Sequence, residues 1–379
     1  MHTELMKSLF KSFKEPSLSG RYIHTESILD LLQNSSIKPF VKVIGSSVKN
    51  ENIYSITIGS GPKKILMWSQ MHGNESTTTK AVFDMINVFT ASENVSKTIL
   101  KACTLKIIPI LNPDGAKAYT RLNANHIDLN RDAQELSQPE SKVLKQIFES
   151  FKPDYCFNLH GQRTIFSAGK ANNPATVSFL APAQDENCTI TDTRKVAMEI
   201  ISVMNSHLQQ EIPNQVGIYD DAFNLNCVGD TFQNLNVPTV LFEAGHFAND
   251  YQREITREYI FQSLLIAIHY ISDNNVTGNK HDGYLEIPEN QKLFYDIIIK
   301  NTSNEDVGIQ YIEKLIDNTI HFVPKIEKIS DLSSYFSHKE INARGYEVLT
   351  TKGKSVSEGS ENVFVIINNE KYSLKLKTN

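Results

Sequence analysis

Apolar and polar positions along the chain follow two alternating periods. Ile65-Leu66-Met67-Trp68 and Leu105 to Leu111 are runs of the kind found in strands buried on both faces. Turn-formers bound them: Gly61-Pro62 before the first run, Gly73-Asn74 after it, and Asn112-Pro113-Asp114-Gly115 after the second. Between them the period lengthens. Ala81, Val82, Met85, Ile86 and Phe89 share one face of a helix expected over Ser76 to Phe89. Val143, Leu144, Ile147 and Phe151 share one face of another over Pro139 to Phe151, with Pro139 in its first turn. Two short amphipathic helices precede residue 40, Glu26 to Gln33 the clearer. Phe40 to Ile44, Ile53 to Ile58 and Lys64 to Trp68 are expected to form a meander of strands. Asp154 to Leu159, Val177 to Ala181 and Pro238 to Phe242 read as further strands, and Thr191 to Gln210 and Arg253 to Ile271 as helices. This alternation predicts an α/β fold: a mixed, largely parallel sheet with helices on both faces.

The pattern changes at Ser272 to Gly283, a polar stretch rich in Asn, Asp, Gly and Lys. Beyond it Leu293 to Lys300, Ile320 to Ile329, Tyr346 to Thr351 and Val363 to Lys377 read as strands, with a hairpin at Asn368-Asn369-Glu370. The expected organisation is a catalytic domain over residues 1–275 and a small β-rich domain over 284–379. A net charge of −5 without a basic stripe gives no reason to expect nucleic acid as a partner. Cys103, Cys156, Cys188 and Cys227 are far apart and read as buried thiols of a reducing compartment. Residues 1 to 20 carry neither an unbroken apolar core nor a small-residue cleavage site, and Tyr259 to Ile271 is too short and interrupted to cross a membrane. No membrane association and a cytoplasmic location are expected.

Candidate chemistry gathers where strands end. His72 and Glu75 follow the first apolar run, at the carboxyl end of a strand, where open α/β sheets carry their sites. An imidazole and a carboxylate three residues apart can hold one zinc ion, with a third ligand drawn from elsewhere; a solvated turn would carry the same pair. His160 follows its strand as His72 does, and a hydrogen-bonded loop histidine is the plainer alternative. Glu243 ends another apolar strand ahead of two small residues, which suits a substrate site and equally a surface carboxylate. Arg121 and Asn130-Arg131 flank a polar segment; guanidinium groups there would bind a carboxylate bidentately or remain solvated.

Together these segments resemble the zinc carboxypeptidase family. The resemblance is carried, in order, by His72-Gly-Asn-Glu75, Asn112-Pro-Asp-Gly115, Arg121 through Asp128-Leu-Asn130-Arg131, His160 in Asn-Leu-His-Gly and Glu243 in Leu-Phe-Glu-Ala, across roughly residues 40 to 270. It implies that His72, Glu75 and His160 hold Zn2+, and that Asp128 accepts the second ring N–H of His72. It implies Glu243 as general base and Arg121 as the group that polarises the scissile carbonyl. Asn130 and Arg131 would clamp the substrate's terminal carboxylate, and Tyr219 is the candidate for the tyrosine that covers the substrate. Asp132 stands where many members carry an uncharged residue, which would weaken or tune the clamp.

The implied function is a zinc-dependent metallocarboxypeptidase hydrolysing the C-terminal amide bond of small peptides. The motifs and trailing β domain are also similar to the aspartoacylase and succinylglutamate desuccinylase branch, which would make the protein a deacylase of N-acyl amino acids with the same site. Either way the partner is a small substrate, peptide or acyl-amino acid, with a free carboxylate. A third possibility, a binding module without catalysis, would not require Glu243.

Overall fold

Alternate residues of the apolar run face opposite sides of one sheet: Ile65 and Met67 enter one hydrophobic core, Leu66 and Trp68 another. All four are fully buried, so the strand has no polar face. The computed structural model describes residues 3–91 and 93–376. The chain divides into two units, Met1–Gln162 with Ala175–Asn290, and Arg163–Pro174 with Gln291–Asn379.

The first unit is built on β1 (Val41–Ser46), β2 (Asn52–Gly59), β3 (Lys63–Ser69), β4 (Cys103–Ile108) and β5 (Tyr155–Gly161). After β6 (Phe166–Ala168), which belongs to the second unit, come β7 (Val177–Leu180), β8 (Val216–Ile218) and β9 (Thr239–Ala244). These eight strands form one sheet in the order β1-β2-β4-β3-β5-β9-β7-β8. The central four, β4, β3, β5 and β9, are parallel, so their carboxyl ends share one edge.

Helices α1 (Thr3–Phe13), α2 (Thr25–Gln33), α3 (Thr77–Ala91) and α4 (Glu93–Ala102) precede α5 (Pro113–Ala118) and α6 (Pro139–Phe151). Then follow α7 (Asp192–Leu208), α8 (Val228–Asn234), α9 (Glu254–Asp273) and the short α10 (Asp282–Leu285). Apolar residues of α1, α2, α3, α7 and α9 fill one core, and those of α6 and α8 fill the core on the other face.

The expected meander is interrupted. The connection through α3 and α4 returns the chain parallel to β3, and β4 inserts between β2 and β3. The Asn112-Pro-Asp-Gly turn also differs: Asn112 caps α5 by accepting the Gly115 N–H at 2.9 Å, with Pro113 at the first helical position.

Helix α3 is buried around nearly its whole circumference, which an amphipathic pattern does not anticipate. Its polar residues therefore need partners inside. Ser69 Oγ bonds Thr78 Oγ1 at 2.7 Å and Thr79 Oγ1 at 2.8 Å. Asp84 pairs with Arg257 of α9 through contacts of 2.7 and 2.5 Å, both side chains fully buried. Arg257 also donates to the carbonyls of Glu15 and Leu18, and Asp84 accepts the Glu15 N–H. Residues 15–20 are thereby tied to α3 and α9. Burial pulls the Lys80 ammonium down to about 8 despite its 2.5 Å contact with Glu254.

The second unit contains a two-stranded ribbon of β6 and β10 (Asn290–Lys292). Its larger sheet, in the order β13-β12-β11-β14, uses β11 (Phe294–Lys300), β12 (Asp306–Ile316), β13 (Thr319–Ser330) and β14 (Phe336–Asn342). A three-stranded sheet of β15 (Leu349–Thr350), β16 (Phe364–Ile367) and β17 (Glu370–Ser373) completes it. Ile297, Ile309, Ile326, Val365 and Leu374 are among its core residues. Asn368 and Asn369 both have positive φ, +50° and +61°, as a two-residue hairpin requires. The division between units falls at Asn290, beyond the polar stretch 272–283, and the excursion 163–174 has no signal in the hydrophobic pattern. Lys377, the end of the last expected strand, lies outside the described residues.

Removing Asp84 leaves the buried Arg257 guanidinium with only Glu254, 3.2 Å away and shared with Lys80, as an acidic partner. Asp84→Asn is expected to cost about 3–5 kcal/mol in urea unfolding, and Asp84→Leu combined with Arg257→Met to cost much less. Equal losses for the single and double variants would contradict this.

Candidate metal centre

The shared carboxyl edge of the parallel strands brings the motifs together. Just past β3, Gln70 adopts φ +44° and turns the chain, and His72 and Glu75 follow in the loop before α3. This loop is braced by the segment after β4. Asn112 Nδ2 donates to the Met71 carbonyl at 3.1 Å, and its backbone N–H donates to that of Gln70 at 3.0 Å. A Cβ on Gly73 would lie 2.0 Å from the Gly115 carbonyl carbon, so the two motif glycines pack backbone against backbone. The N-terminal segment supports the loop from another side: Gln70 Nε2 donates to the Ile23 carbonyl at 2.9 Å and Ser76 Oγ to that of Arg21 at 2.5 Å.

His160 lies on β5 and Glu243 on β9, paired residue to residue in parallel register. His160 Nδ1 and His72 Nδ1 face each other at 3.1 Å. Each also lies 2.9 Å from a different oxygen of Glu75. Donor atoms of His72, Glu75 and His160 all fall within 4.8 Å of one another, and both histidines are buried. Two imidazole nitrogens and a carboxylate converging in this way fit zinc, whose tetrahedral preference leaves a further position for water or substrate in catalytic sites.

Surrounding groups hold the cluster in place. His72 Nε2 contacts Asp128 Oδ1 at 3.1 Å, which leaves Nδ1 as the inward atom. The Gly161 N–H donates to Glu75 Oε2 at 3.0 Å. Arg121 grips Asp128 Oδ2 through Nε and Nη2, both at 3.0 Å, while its Nη1 lies 3.2 Å from His72 Nδ1. Asp128 also caps the short turn at Leu129–Arg131 by accepting the Asn130 N–H.

Electrostatics separate the two glutamates. Burial opposes ionisation of Glu75, but His72 and His160 hold its carboxyl far below the usual range. Burial, reinforced by Glu75, pushes Glu243 well above it, with Arg121 and Arg253 pulling the other way. Glu243 Oε2 and His160 Nε2 are buried and have no hydrogen-bond partner among the described residues. Burial disfavours the charged ring of His72, yet Glu75 and Asp128 outweigh it and leave its pKa raised; for His160 burial prevails and the pKa is lowered.

The remaining expected residues lie in the same unit. Asn130 Oδ1 accepts the Val228 N–H at 3.0 Å, and Arg131, exposed, donates to its neighbour's carbonyl and to Cys227 Sγ. Tyr219 follows β8; burial, then the charges of Glu243 and Glu75, push its hydroxyl far up, so it shares the field of the cluster. Asp132 is engaged ahead of α6, where it accepts hydrogen bonds from the Ser137 and Gln138 N–H groups and the Ser137 hydroxyl. Asp221, two residues beyond Tyr219, is paired with Arg194. Arg253 was missed by sequence reasoning, since no local pattern marks an arginine buried at the start of a helix.

A family model described as zinc carboxypeptidase matches residues 25–226. Carboxypeptidase 2 of Trichophyton rubrum is 27% identical over 138 residues, covering 36% of this chain and 24% of that protein. Carboxypeptidase M of Mus musculus is 27% identical over 181 residues, covering 40% of this chain and 41% of that protein. The chain thus spans about a quarter of the length of the first relative and under half of the second. A metallo-carboxypeptidase from Burkholderia cenocepacia superposes with a TM-score of 0.51 at 17% identity over 64% of this chain and 67% of that one, a likeness of fold.

Zinc is expected to raise the melting temperature, by the equivalent of about 2.7 kcal/mol at one hundred times its dissociation constant. Because proton and ion compete for His72, whose pKa lies above the ordinary value, the gain should shrink as pH falls from 8 to 5.5. His160→Ala should abolish it. A shift that survives in His160→Ala would contradict the ligand set.

Proposed function

The chain belongs to the zinc carboxypeptidase family, and from that premise we propose that it is a metallocarboxypeptidase hydrolysing the C-terminal amide bond of small peptides. The observation that carries this function is the juxtaposition of a three-donor cluster with Glu243, a carboxylate adjacent in register to His160 but outside the cluster itself. Binding alone needs the donors; hydrolysis needs a base beside them.

His72, Glu75 and His160 are the residues that would hold the ion. When bound, zinc supplies a Lewis acid for a carbonyl group and acidifies a water molecule beside it. Glu243 Oε2 accepts a proton from the attacking water and returns it to the leaving amine nitrogen. Its raised affinity for a proton, caused by burial and by Glu75, suits the second half of that task. Arg121 Nη1 is directed toward the donor atoms, with its other edge fixed by Asp128, so it can meet negative charge growing on the carbonyl oxygen without reorganising.

Selection of a chain end follows from Asn130 and Arg131. With Asn130 Oδ1 occupied by the Val228 N–H, the amide's NH2 side remains to donate to a carboxylate, next to the Arg131 guanidinium. A planar cation and an amide donor favour an anionic terminus over a continuing peptide. Tyr219, on the chain after β8, would close over the bound substrate.

Glu243→Gln is expected to lower kcat by roughly 10²–10⁴-fold while one zinc per chain is retained, measured by single-substrate hydrolysis and metal analysis. Arg131→Ala should weaken kcat/KM for free-acid peptides by about ten- to a hundred-fold, the loss of a charge-assisted hydrogen bond of about 1.5–3 kcal/mol, and should leave the already poor C-terminally amidated peptides almost unchanged. A panel that includes N-acetyl and N-succinyl amino acids decides between substrate classes. Turnover of those alone would defeat the peptidase reading.

A further inference from the structure

Arg253 is an arginine with 1% of its surface exposed, in a left-handed backbone conformation at φ +59°, as the residue that caps α9. Both features are costly: a guanidinium loses its hydration on burial, and a residue with a Cβ rarely adopts positive φ. Its contacts show what this arrangement achieves. Nη1 donates to the Ala244 carbonyl at 2.8 Å, and Nη2 to the Gln162 carbonyl at 3.0 Å. Ala244 directly follows Glu243, and Gln162 lies two residues beyond His160. The same Ala244 carbonyl accepts the Gln162 N–H at 3.0 Å. One planar group therefore spans the ends of β5 and β9, at the points from which a metal donor and the proposed base project.

The arginine itself is firmly seated. Asp250 accepts the N–H groups of Glu254, Ile255 and Thr256 at 2.8, 2.9 and 2.9 Å, which anchors the first turn of α9. On the strand side, a Cβ on Gly245 would fall 1.9 Å from the Ala175 carbonyl oxygen, so the chain leaving β9 packs directly against the backbone there. The cation is also close enough to oppose the effect of burial on Glu243.

We propose that Arg253 is a positioning residue of the hydrolytic site, whose two-pronged donation to Ala244 and Gln162 sets the separation and direction in which Glu243 and His160 leave their strands. For the task of Glu243 this rests on the peptidase function above; for the geometry of the donor cluster it does not. A lysine, as a single point donor, cannot reproduce the fork.

The test replaces zinc by Co2+ in the full chain and compares wild type, Arg253→Met and Arg253→Lys. Three readouts are taken: thermal melting, the visible cobalt absorption spectrum, and kcat and KM on a free-acid tripeptide. Both variants should fold. Arg253→Met should show altered cobalt band positions or intensities and a kcat at least ten-fold lower with KM within two-fold; Arg253→Lys should recover part of the stability but little of the spectrum or kcat. A wild-type cobalt spectrum and kcat in a merely less stable Arg253→Met would overturn the proposal, as would failure of both variants to fold, which would assign Arg253 to stability alone. Wild-type protein that cleaves no peptide would remove the peptidase function, and the cobalt spectra would still decide the positioning role.

Discussion

Two imidazole nitrogens 3.1 Å apart, both pressed against one carboxylate in a buried site, form an arrangement that a protein does not reach by default. At most one proton can lie between the rings, and one donor atom from each of the three side chains lies within 4.8 Å of the others. Neighbouring structure holds it. Asp128 takes the far side of His72, the Gly161 N–H fixes one oxygen of Glu75, and Arg121 ties Asp128 to the cluster. The parallel strands set the scale, since adjacent strand ends lie about 4.8 Å apart and present one side chain each at that spacing. Glu243 stands beside His160 for the same reason.

Support for this cluster reaches well beyond the strands. The loop carrying His72 and Glu75 is gripped by Asn112 on one side and by the backbone of residues 21–23 on the other. That N-terminal segment precedes the stretch matched by the family model, and it is itself tied down by Asp84, Arg257 and Glu254. A buried ion pair between α3 and α9 is therefore linked to the metal loop through residues 15–23, which are hydrogen-bonded to the pair at one end and to the loop at the other. Arg253, four residues before Arg257 on the same helix start, acts on the opposite strand ends. The first turn of α9 thus braces the site from both sides.

Much of this was legible in the sequence, because the strongest signals were local. Mostly apolar runs ending at turns located β3, β4 and β5, and the residues at the ends of β3 and β5 located His72, Glu75 and His160. Helix α6 was readable from Pro139 and one apolar face. Sheet order was not, because nothing in residues 53–68 records that β4, thirty-five residues later, will separate β2 from β3. Strand β12 was hidden by Glu313 and Lys314, which break its alternation, and the membership of residues 163–174 in the second unit depends on long-range pairing. The partners of Asp132, Ser137 and Gln138, lie ahead on the chain, where no local pattern marks them. Nothing local sets Arg253 and Arg257 apart from other arginines near a helix start. Burial of Arg257 follows from the packing of α9 against α3, and that of Arg253 from its contact with the ends of β5 and β9, both tertiary facts.

The most direct measurement is anomalous diffraction at the zinc absorption edge from crystals grown with zinc. The expected result is one strong peak per chain, within about 2.0–2.2 Å of His72 Nδ1, His160 Nδ1 and a Glu75 oxygen, with Glu243 outside bonding distance. A peak bound to other residues, or none at this cluster while zinc is bound elsewhere, would contradict it.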